Sequence, residues 1–180
     1  MVPNLRRWLL SDSHFGHSMI QKHCRRPANV DELIIKAWQR LILPTDLVIH
    51  LGDVAFGFFP LAEVMATLPG KKILVRGNHD SKSVSYYMRH GFDFACDSLT
   101  MSGCYFTHKP TAILPEGCQY NVHGHLHNRF AADHRAYPHC RLFALEHTKY
   151  QPMLLEKFLK KGCPGGEVLP YERHTEDASN

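Results

Sequence analysis

Three short, mostly apolar runs in the first half of the chain each end in a cluster of polar residues. The runs cover residues 6–10, 47–51 and 73–75, and helical patterns separate them. Such alternation is typical of a sheet with parallel strands, and in these sheets ligands bind just outside the carboxyl ends of the strands. We therefore expect the polar clusters to converge at one edge of an α/β or α+β fold. The clusters are Asp12-Ser13-His14, Gly52-Asp53 and Gly77-Asn78-His79-Asp80.

Helical periodicity and strand signals divide the rest of the chain. Helices are predicted over residues 30–43, 60–68 and 83–90. Strands are predicted over residues 92–96, 99–101, 104–107, 119–123, 142–145 and 153–158, and residues 124–139 are expected to be mostly irregular. Together these elements predict a single domain over residues 1–161, followed by a mobile tail over residues 162–180.

Composition excludes several classes of protein and leaves one anomaly. With 44% hydrophobic and 21% charged residues among 180, the chain is neither disordered, collagen-like nor a coiled coil. No apolar run exceeds four residues, so no membrane span is expected, and without a signal-peptide pattern the expected location is cytoplasmic. The six cysteines contain no C-x-x-C pair and are expected to be reduced. The anomaly is 14 histidines, the commonest metal-binding side chain.

Seven residues that follow predicted strands offer oxygen and nitrogen ligands without a thiolate. They are Asp12, His14, Asp53, Asn78, His108, His125 and His127. This mixture suits Mn, Fe, Zn, Ni or Co better than a calcium-only site. Seven ligands are too many for one ion and suit a pair about 3.5–4 Å apart that shares a carboxylate, a geometry used in phosphoryl transfer.

The order of these blocks resembles the calcineurin-like metallophosphoesterase superfamily, whose signature runs D-x-H, G-D, G-N-H-D/E, a lone H and G-H-x-H. The last two blocks are His108 and Gly124-His125-Leu126-His127. The resemblance is closest to the small bacterial and phage phosphoesterases. Three features carry it: His-Phe-Gly-His from His14 to His17, Arg26-Pro27, and the stretch from Leu51 to Gly57. The stretch from Leu145-Glu146 to Tyr150-Gln151-Pro152 resembles that group less specifically.

The resemblance implies a fold and a set of residue roles. The fold is a four-layer β-sandwich of two mixed sheets flanked by helices, and the cofactors are two divalent transition-metal ions, with Mn the first choice and Fe, Zn, Ni or Co as alternatives. One ion is held by Asp12, His14 and His127, the other by Asn78, His108 and His125, with Asp53 bridging. His79 protonates the leaving oxygen. Asp80 either orients His79 or caps the following helix.

Three residues outside the signature are candidates for contact with the substrate. His17 either touches the substrate phosphate or a ligand, or lies on the plain surface. Arg26 belongs to a small basic cluster, for which a solvated face is the alternative to a phosphate contact. Lys109 follows His108 directly and either attracts phosphate or points away.

These residues favour a binuclear-metal phosphoesterase whose substrate is a phosphorylated small molecule or a nucleotide. A small chain with a shallow site suits phosphodiesters, including cyclic nucleotides and nucleotide derivatives. One alternative is a nuclease of the same superfamily, for which a net charge of +4 without a basic stripe gives little support. The other is a non-catalytic binding module, which is expected to have lost ligands, whereas none is missing here.

Overall fold

A computed structural model describes residues 5–128 and 138–161, which form nine strands and five α-helices. In chain order these are β1 (Arg7–Leu10), α1 (Ile20–His23), α2 (Val30–Leu41), β2 (Leu47–His50), α3 (Leu61–Thr67), β3 (Lys71–Val75), α4 (Val84–Arg89), β4 (Phe94–Cys96), β5 (Leu99–Met101), β6 (Cys104–Phe106), β7 (Tyr120–His123), β8 (Cys140–Leu142), β9 (Met153–Leu154) and α5 (Leu155–Lys161). A 3₁₀ helix spans Leu145–Thr148. The predicted tail over 162–180 and part of the predicted irregular stretch lie outside the described residues.

Both sheets are mixed, as the sequence predicted. The first has the order β4-β3-β2-β1-β9, in which β1 to β4 run parallel and β9 pairs antiparallel with β1. The second has the order β5-β6-β7-β8, with β5 antiparallel to β6 and the other pairs parallel. Helices flank the sheets, so the predicted fold class is confirmed.

One contiguous cluster of buried apolar side chains joins the two sheets and the helices. Leu9 and Leu74 contribute from the first sheet and Phe106 from the second, all fully buried. Helix α2 contributes Ile34 and Trp38, which are four residues apart and therefore share one helix face. The indole of Trp38 donates a hydrogen bond to the carbonyl of Pro69 at 2.9 Å, so its polar group is satisfied inside the core.

Two predictions at the C-terminal end of the domain were wrong in detail. The strand predicted over 153–158 ends at Leu154, and helix α5 follows, because Leu155, Phe158 and Leu159 recur at helical spacing and pack against the core. The strand predicted over 142–145 is instead β8, which ends at Leu142. Short apolar runs fit either type of element, and packing decides between them.

The described residues include helices and cysteines on which the sequence made predictions. Among them, no helix combines the length and the apolar composition that a bilayer crossing requires. The cysteines at positions 24, 96, 104, 118 and 140 are free thiols in the structure.

Asp46 joins the start of β2 to β1 through hydrogen bonds. Its carboxylate accepts from Arg6 Nε at 2.9 Å, from Trp8 Nε1 at 2.9 Å and from the backbone N–H of Leu43 at 2.8 Å. Desolvation raises the pKa of Asp46, but the hydrogen bonds from Arg6, Leu43 and Trp8 outweigh it and leave the pKa below its ordinary value. The ionised carboxylate therefore stabilises the fold.

We predict that Asp46→Asn lowers the free energy of unfolding by about 1–3 kcal/mol at pH 7, because the variant loses hydrogen bonds to a charged group. The folded-state pKa is depressed, so this stabilisation is present above the unfolded pKa of about 3.9 and disappears as the pH falls through the folded value. Urea unfolding of both proteins at several pH values measures the difference. A difference that grows towards low pH would contradict the assignment.

Candidate metal centre

The carboxyl ends of strands from both sheets meet at one place. His108, after β6, has its Nδ1 atom 2.7 Å from the carbonyl oxygen of Leu51, which follows β2. The backbone N–H of His125, after β7, donates to Asp12 Oδ2 at 3.0 Å, and Asp12 follows β1. The backbone N–H of Gly124 donates to the carbonyl of His108 at 3.0 Å. His108 Nε2 also lies 3.0 Å from Asn78 Oδ1, so all five sequence blocks surround a single site.

The first ligand group consists of Asp12, His14 and His127. Asp12 Oδ1 lies 3.9 Å from His14 Nε2 and 3.8 Å from His127 Nε2. Within the described part of the chain, Asp12 Oδ1 and both ring nitrogens of His14 are buried without a hydrogen-bond partner. Buried polar atoms are rarely left unpaired, because the lost hydration is costly. A cation between Asp12 Oδ1 and His14 Nε2 would satisfy these two atoms, so the residues present fit a metal ion.

The second ligand group consists of Asp53, His108 and His125, with Asn78 beside it. His108 Nε2 lies 3.3 Å from Asp53 Oδ2, 3.1 Å from His125 Nδ1 and 3.0 Å from Asn78 Oδ1. These four side chains bring two imidazole nitrogens, a carboxylate oxygen and an amide oxygen together. The donor set fits a borderline divalent metal.

One oxygen of Asp53 lies between the two groups. Asp53 Oδ2 is 3.6 Å from His14 Nε2 and 3.3 Å from His108 Nε2, while Oδ1 accepts the backbone N–H of His79 at 2.9 Å. Desolvation raises the pKa of Asp53, but the hydrogen bond and charge of His108 outweigh it and leave the pKa below its ordinary value. An ionised carboxylate in this position has the geometry of a bridging ligand.

The imidazoles of the site differ in their charge. Burial lowers the pKa of His14 to about 3 and that of His125 to about 4, so both rings are neutral, the form that binds metals. Desolvation also lowers the pKa of His127, but hydrogen bonds to Cys24 and Glu146 outweigh it and raise the pKa to about 10. A metal ion must displace that proton, and proton release is the ordinary accompaniment of metal binding.

Five of the candidate ligands have a left-handed backbone. Their φ angles are 50° at Asp12, 48° at His14, 55° at Asp53, 71° at His125 and 52° at His127. Non-glycine residues seldom adopt such angles, and those that do are concentrated at functional sites. The sharp turns explain how a chain that has just left a strand aims each side chain back over the strand end.

Two glycines of the motif blocks make room for the carboxylates. A Cβ atom on Gly77 would lie 2.1 Å from Asp53 Oδ1, and one on Gly124 would lie 2.4 Å from Asp12 Oδ2. Any other residue at either position would displace a ligand. The glycines of the G-N-H-D and G-H-x-H blocks are therefore required by close approach.

His79 lies at the solvent side of the site. Its side chain is 43% exposed, and its Nε2 atom is 4.0 Å from Asp53 Oδ2. It borders a cleft of about 320 Å³, whose other lining residues are Ala55, Phe56, Gly57, Asn78 and Ser81. The imidazole can therefore reach both the candidate metal centre and a molecule in the cleft.

Asp80 is buried and holds the backbone around Asp53. Its Oδ2 atom accepts the N–H groups of Asp53 and Gly77, both at 2.7 Å, and its Oδ1 atom accepts that of Val54 at 3.1 Å. The predicted helix-capping role is wrong, since the side chain of Ser83 accepts from the N–H of Tyr86 and caps α4. Asp80 instead joins the ends of β2 and β3.

The three candidate substrate residues occupy different surroundings. The His17 ring is half-buried, 4.1 Å from the Phe56 ring and 5.5 Å from the His14 ring, at the rim of the site. Lys109 is exposed, and its charge helps to lower the pKa of His125, after burial and His108. Arg26 differs from both: its side chain is 0% exposed and binds Glu146, so the geometry turns it away from a substrate at the surface.

Glu146 was not among the predicted site residues. Its Oε1 atom lies 3.1 Å from His127 Nδ1, and its side chain is only 8% exposed. No motif spacing relates Glu146 to His127, which precedes it by 19 residues. The only sequence signal was the resemblance of the Leu145-Glu146 stretch to the small phosphoesterases.

Two adjoining groups of oxygen and nitrogen ligands at the strand ends of a two-sheet fold are typical of enzymes that cleave phosphoesters with two metals. A sequence model of the calcineurin-like phosphoesterase family matches residues 5–162, and the chain belongs to this family.

One curated protein sequence and two solved structures are similar to this chain. An uncharacterized protein of Methanocaldococcus jannaschii is 38% identical over 80 residues, which are 41% of this chain and 46% of that protein. The chain thus covers about half the length of this curated relative. The crystal structure of an Aquifex aeolicus protein of unknown function has a TM-score of 0.71 at 26% identity. The match covers 87% of this chain and 99% of the Aquifex chain. The crystal structure of a Pseudomonas putida nuclease has a TM-score of 0.49 at 20% identity. The match covers 67% of this chain and 61% of the nuclease chain.

We predict that Asp80→Asn lowers the free energy of unfolding by about 1–3 kcal/mol, because an amide cannot accept all the N–H groups that the carboxylate accepts. His79→Ala, at an exposed position, should stay within about 0.5 kcal/mol of the parent. Urea unfolding of the metal-free proteins measures both, with Asp97→Asn as an exposed carboxylate control. If Asp80→Asn unfolds like the parent, Asp80 does not hold the loops.

Proposed function

We propose that this protein is a two-metal phosphodiesterase that acts on cyclic nucleotides or other nucleotide derivatives. The observation that carries the proposal is Asp53 Oδ2, 3.6 Å from a nitrogen of the first ligand group and 3.3 Å from a nitrogen of the second. Two separate sites would need no shared carboxylate. The arrangement supports one binuclear centre, for which Mn²⁺ is the first candidate and Fe, Zn, Ni and Co are alternatives.

Different residues of the chain bind the metal ions and donate the proton in such a reaction. Asp12, His14 and His127 hold one ion, and Asn78, His108 and His125 hold the other, with Asp53 between them. When bound, the two ions supply charge neutralisation for the phosphate and lower the pKa of the attacking water. The backbone N–H of His79 is bonded to Asp53 Oδ1, which keeps its imidazole beside the shared carboxylate. From there His79 donates a proton to the leaving oxygen.

The cleft beside His79 suits a substrate whose leaving group contains an aromatic ring. The Phe56 ring is 5.2 Å from the His79 ring and 4.1 Å from the His17 ring, and it remains 38% exposed. An exposed aromatic ring at this position can stack on a nucleobase or an aryl group. Because the cleft opens to solvent, the second ester group of a diester can extend outwards without a clash.

A screen of metals against substrates tests the proposal. Metal-free protein is loaded with each candidate ion and assayed with an aryl phosphodiester, an aryl phosphomonoester, a cyclic nucleotide and single-stranded DNA. We expect hydrolysis of the small diesters that a chelator abolishes and that Asp53→Asn lacks, with Asp97→Asn as the matched control. Faster cleavage of DNA would favour the nuclease alternative. Two bound ions without any hydrolysis would favour a non-catalytic binding module.

We predict that His79→Ala lowers kcat by about 10²–10⁴-fold on a diester with a nucleoside leaving group, because an alkoxide needs a proton to depart. The loss should be much smaller on a nitrophenyl diester, whose leaving group departs as a stable anion. Steady-state kinetics on the two substrates measures the contrast, with His90→Ala as a control outside the site. Equal losses on both substrates would contradict proton donation by His79.

A further inference from the structure

A buried carboxylate lies behind one of the candidate ligands. Glu146 Oε1 accepts a hydrogen bond from Arg26 Nε at 2.9 Å, forms an ion pair with Arg26 Nη2 at 2.8 Å and lies 3.1 Å from His127 Nδ1. Arg26 Nη1 also donates to the carbonyl of Ser13, inside the first motif block, at 3.2 Å. The cluster therefore connects the Asp12 block, the His127 block and the 3₁₀ helix that carries Glu146.

Stability alone gives little reason for this arrangement. The Arg26 side chain is 0% exposed and that of Glu146 is 8% exposed, so both charges have lost their hydration. Apolar residues of similar volume often replace such a buried ion pair without loss of stability. An apolar pair could make neither the bond from Arg26 to the Ser13 carbonyl nor the contact to His127 Nδ1, and only the second involves a candidate ligand side chain.

That contact decides which ring nitrogen of His127 can bind a metal. Arg26 Nη2 lies 3.2 Å from His127 Nδ1, and a guanidinium can only donate hydrogen bonds. Without Glu146, Arg26 would donate to Nδ1, and the neutral ring would carry its proton on Nε2. With Glu146 present, Nδ1–H donates to the carboxylate, and the Nε2 lone pair points to the first ligand group, 3.8 Å from Asp12 Oδ1.

We propose that Glu146, held by Arg26, is a positioning residue that fixes the tautomer and orientation of His127 for the metal of the first ligand group. The inference rests on the two-metal centre of the proposed function but is independent of the substrate. Cys24 Sγ also lies near Glu146 and His127, within 4.8 Å. Glu146 Oε2 has no partner within the described part of the chain, but Oε1, the oxygen beside His127, is already bonded to the Arg26 guanidinium, so we assign the carboxylate to His127 and not to an ion of its own.

A double-mutant cycle on metal affinity tests the proposal. Mn²⁺ binding to metal-free protein is measured by calorimetry in two backgrounds: His125→Ala, which weakens the second group, and His127→Ala, which weakens the first. We expect Glu146→Ala to lower affinity by about 10–100-fold in the His125→Ala background. In the His127→Ala background it should have no further effect, because the residue through which Glu146 acts is already gone. Glu146→Gln, which keeps an acceptor oxygen, should recover part of the affinity.

Asp46→Asn is the matched control, since Asp46 is also a buried carboxylate bonded by an arginine, Arg6, but lies away from the ligands. It should lower stability and leave Mn²⁺ affinity unchanged. Equal loss of affinity in both backgrounds, or none in either, would overturn the proposal. The ¹⁵N shifts of the His127 ring in the metal-free protein, recorded above the ring's pKa of about 10 so that the ring is neutral, provide a second readout, in which Glu146→Ala should move the proton from Nδ1 to Nε2. Because neither readout involves hydrolysis, an inactive protein that shows these effects would refute the proposed function and leave this inference standing.

Discussion

The close approach of the chain after β2 to the chain after β3 is the contact on which the candidate centre depends. Gly77 lies against Asp53 so closely that a Cβ atom would occupy the position of the carboxylate. Asp80 Oδ2 accepts N–H groups from both segments and holds them together. Asp53 is thereby fixed with one oxygen facing both ligand groups, and His79 is fixed at the mouth of the cleft. Parallel pairing of β2 with β3 brings the two segments to the same edge.

Four carboxylates are buried around the centre, and their partners distinguish their roles. Asp80 is satisfied by backbone N–H groups, whereas Glu146 is bonded to Arg26 and His127 through Oε1 and its Oε2 is buried without a partner within the described part of the chain. Asp53 has hydrogen bonds from His79 and His108, and its second oxygen lies between the ligand groups. Asp12 accepts bonds through Oδ2, but its Oδ1 is buried without a partner within the described part of the chain. An acceptor oriented in this way, beside an imidazole nitrogen of His14 and one of His127, is suited to bind a metal cation.

The sequence predicted the parts of this structure that depend on local signals. Strands β1 to β3 and their polar ends could be located because apolar runs stop at motif residues, and the order of the blocks indicated the two-sheet fold. Glu146 could not be located, because its bonds to Arg26 and His127 span 120 and 19 residues and follow no spacing rule. The helix-capping role predicted for Asp80 was wrong for a related reason. Its carboxylate oxygens accept the N–H groups of Val54 and Asp53, which are 26 and 27 residues away at the end of the neighbouring strand, and do not cap the helix beside it. Helix α5 was missed because its short apolar pattern fits a strand until packing is known.

The left-handed backbone at five ligands connects metal binding with folding. Each such residue costs on the order of 1–3 kcal/mol and persists only where the surrounding structure imposes it. Here the sheet pairing, the close-approach glycines and the Asp80 and Glu146 hydrogen bonds impose it and bring the candidate ligands together in the folded chain. The unfolded chain has no such convergence and binds ions far more weakly. The free energy of metal binding therefore adds to the free energy of unfolding. A domain of this size can consequently maintain unpaired buried carboxylate and imidazole atoms that would otherwise weaken it.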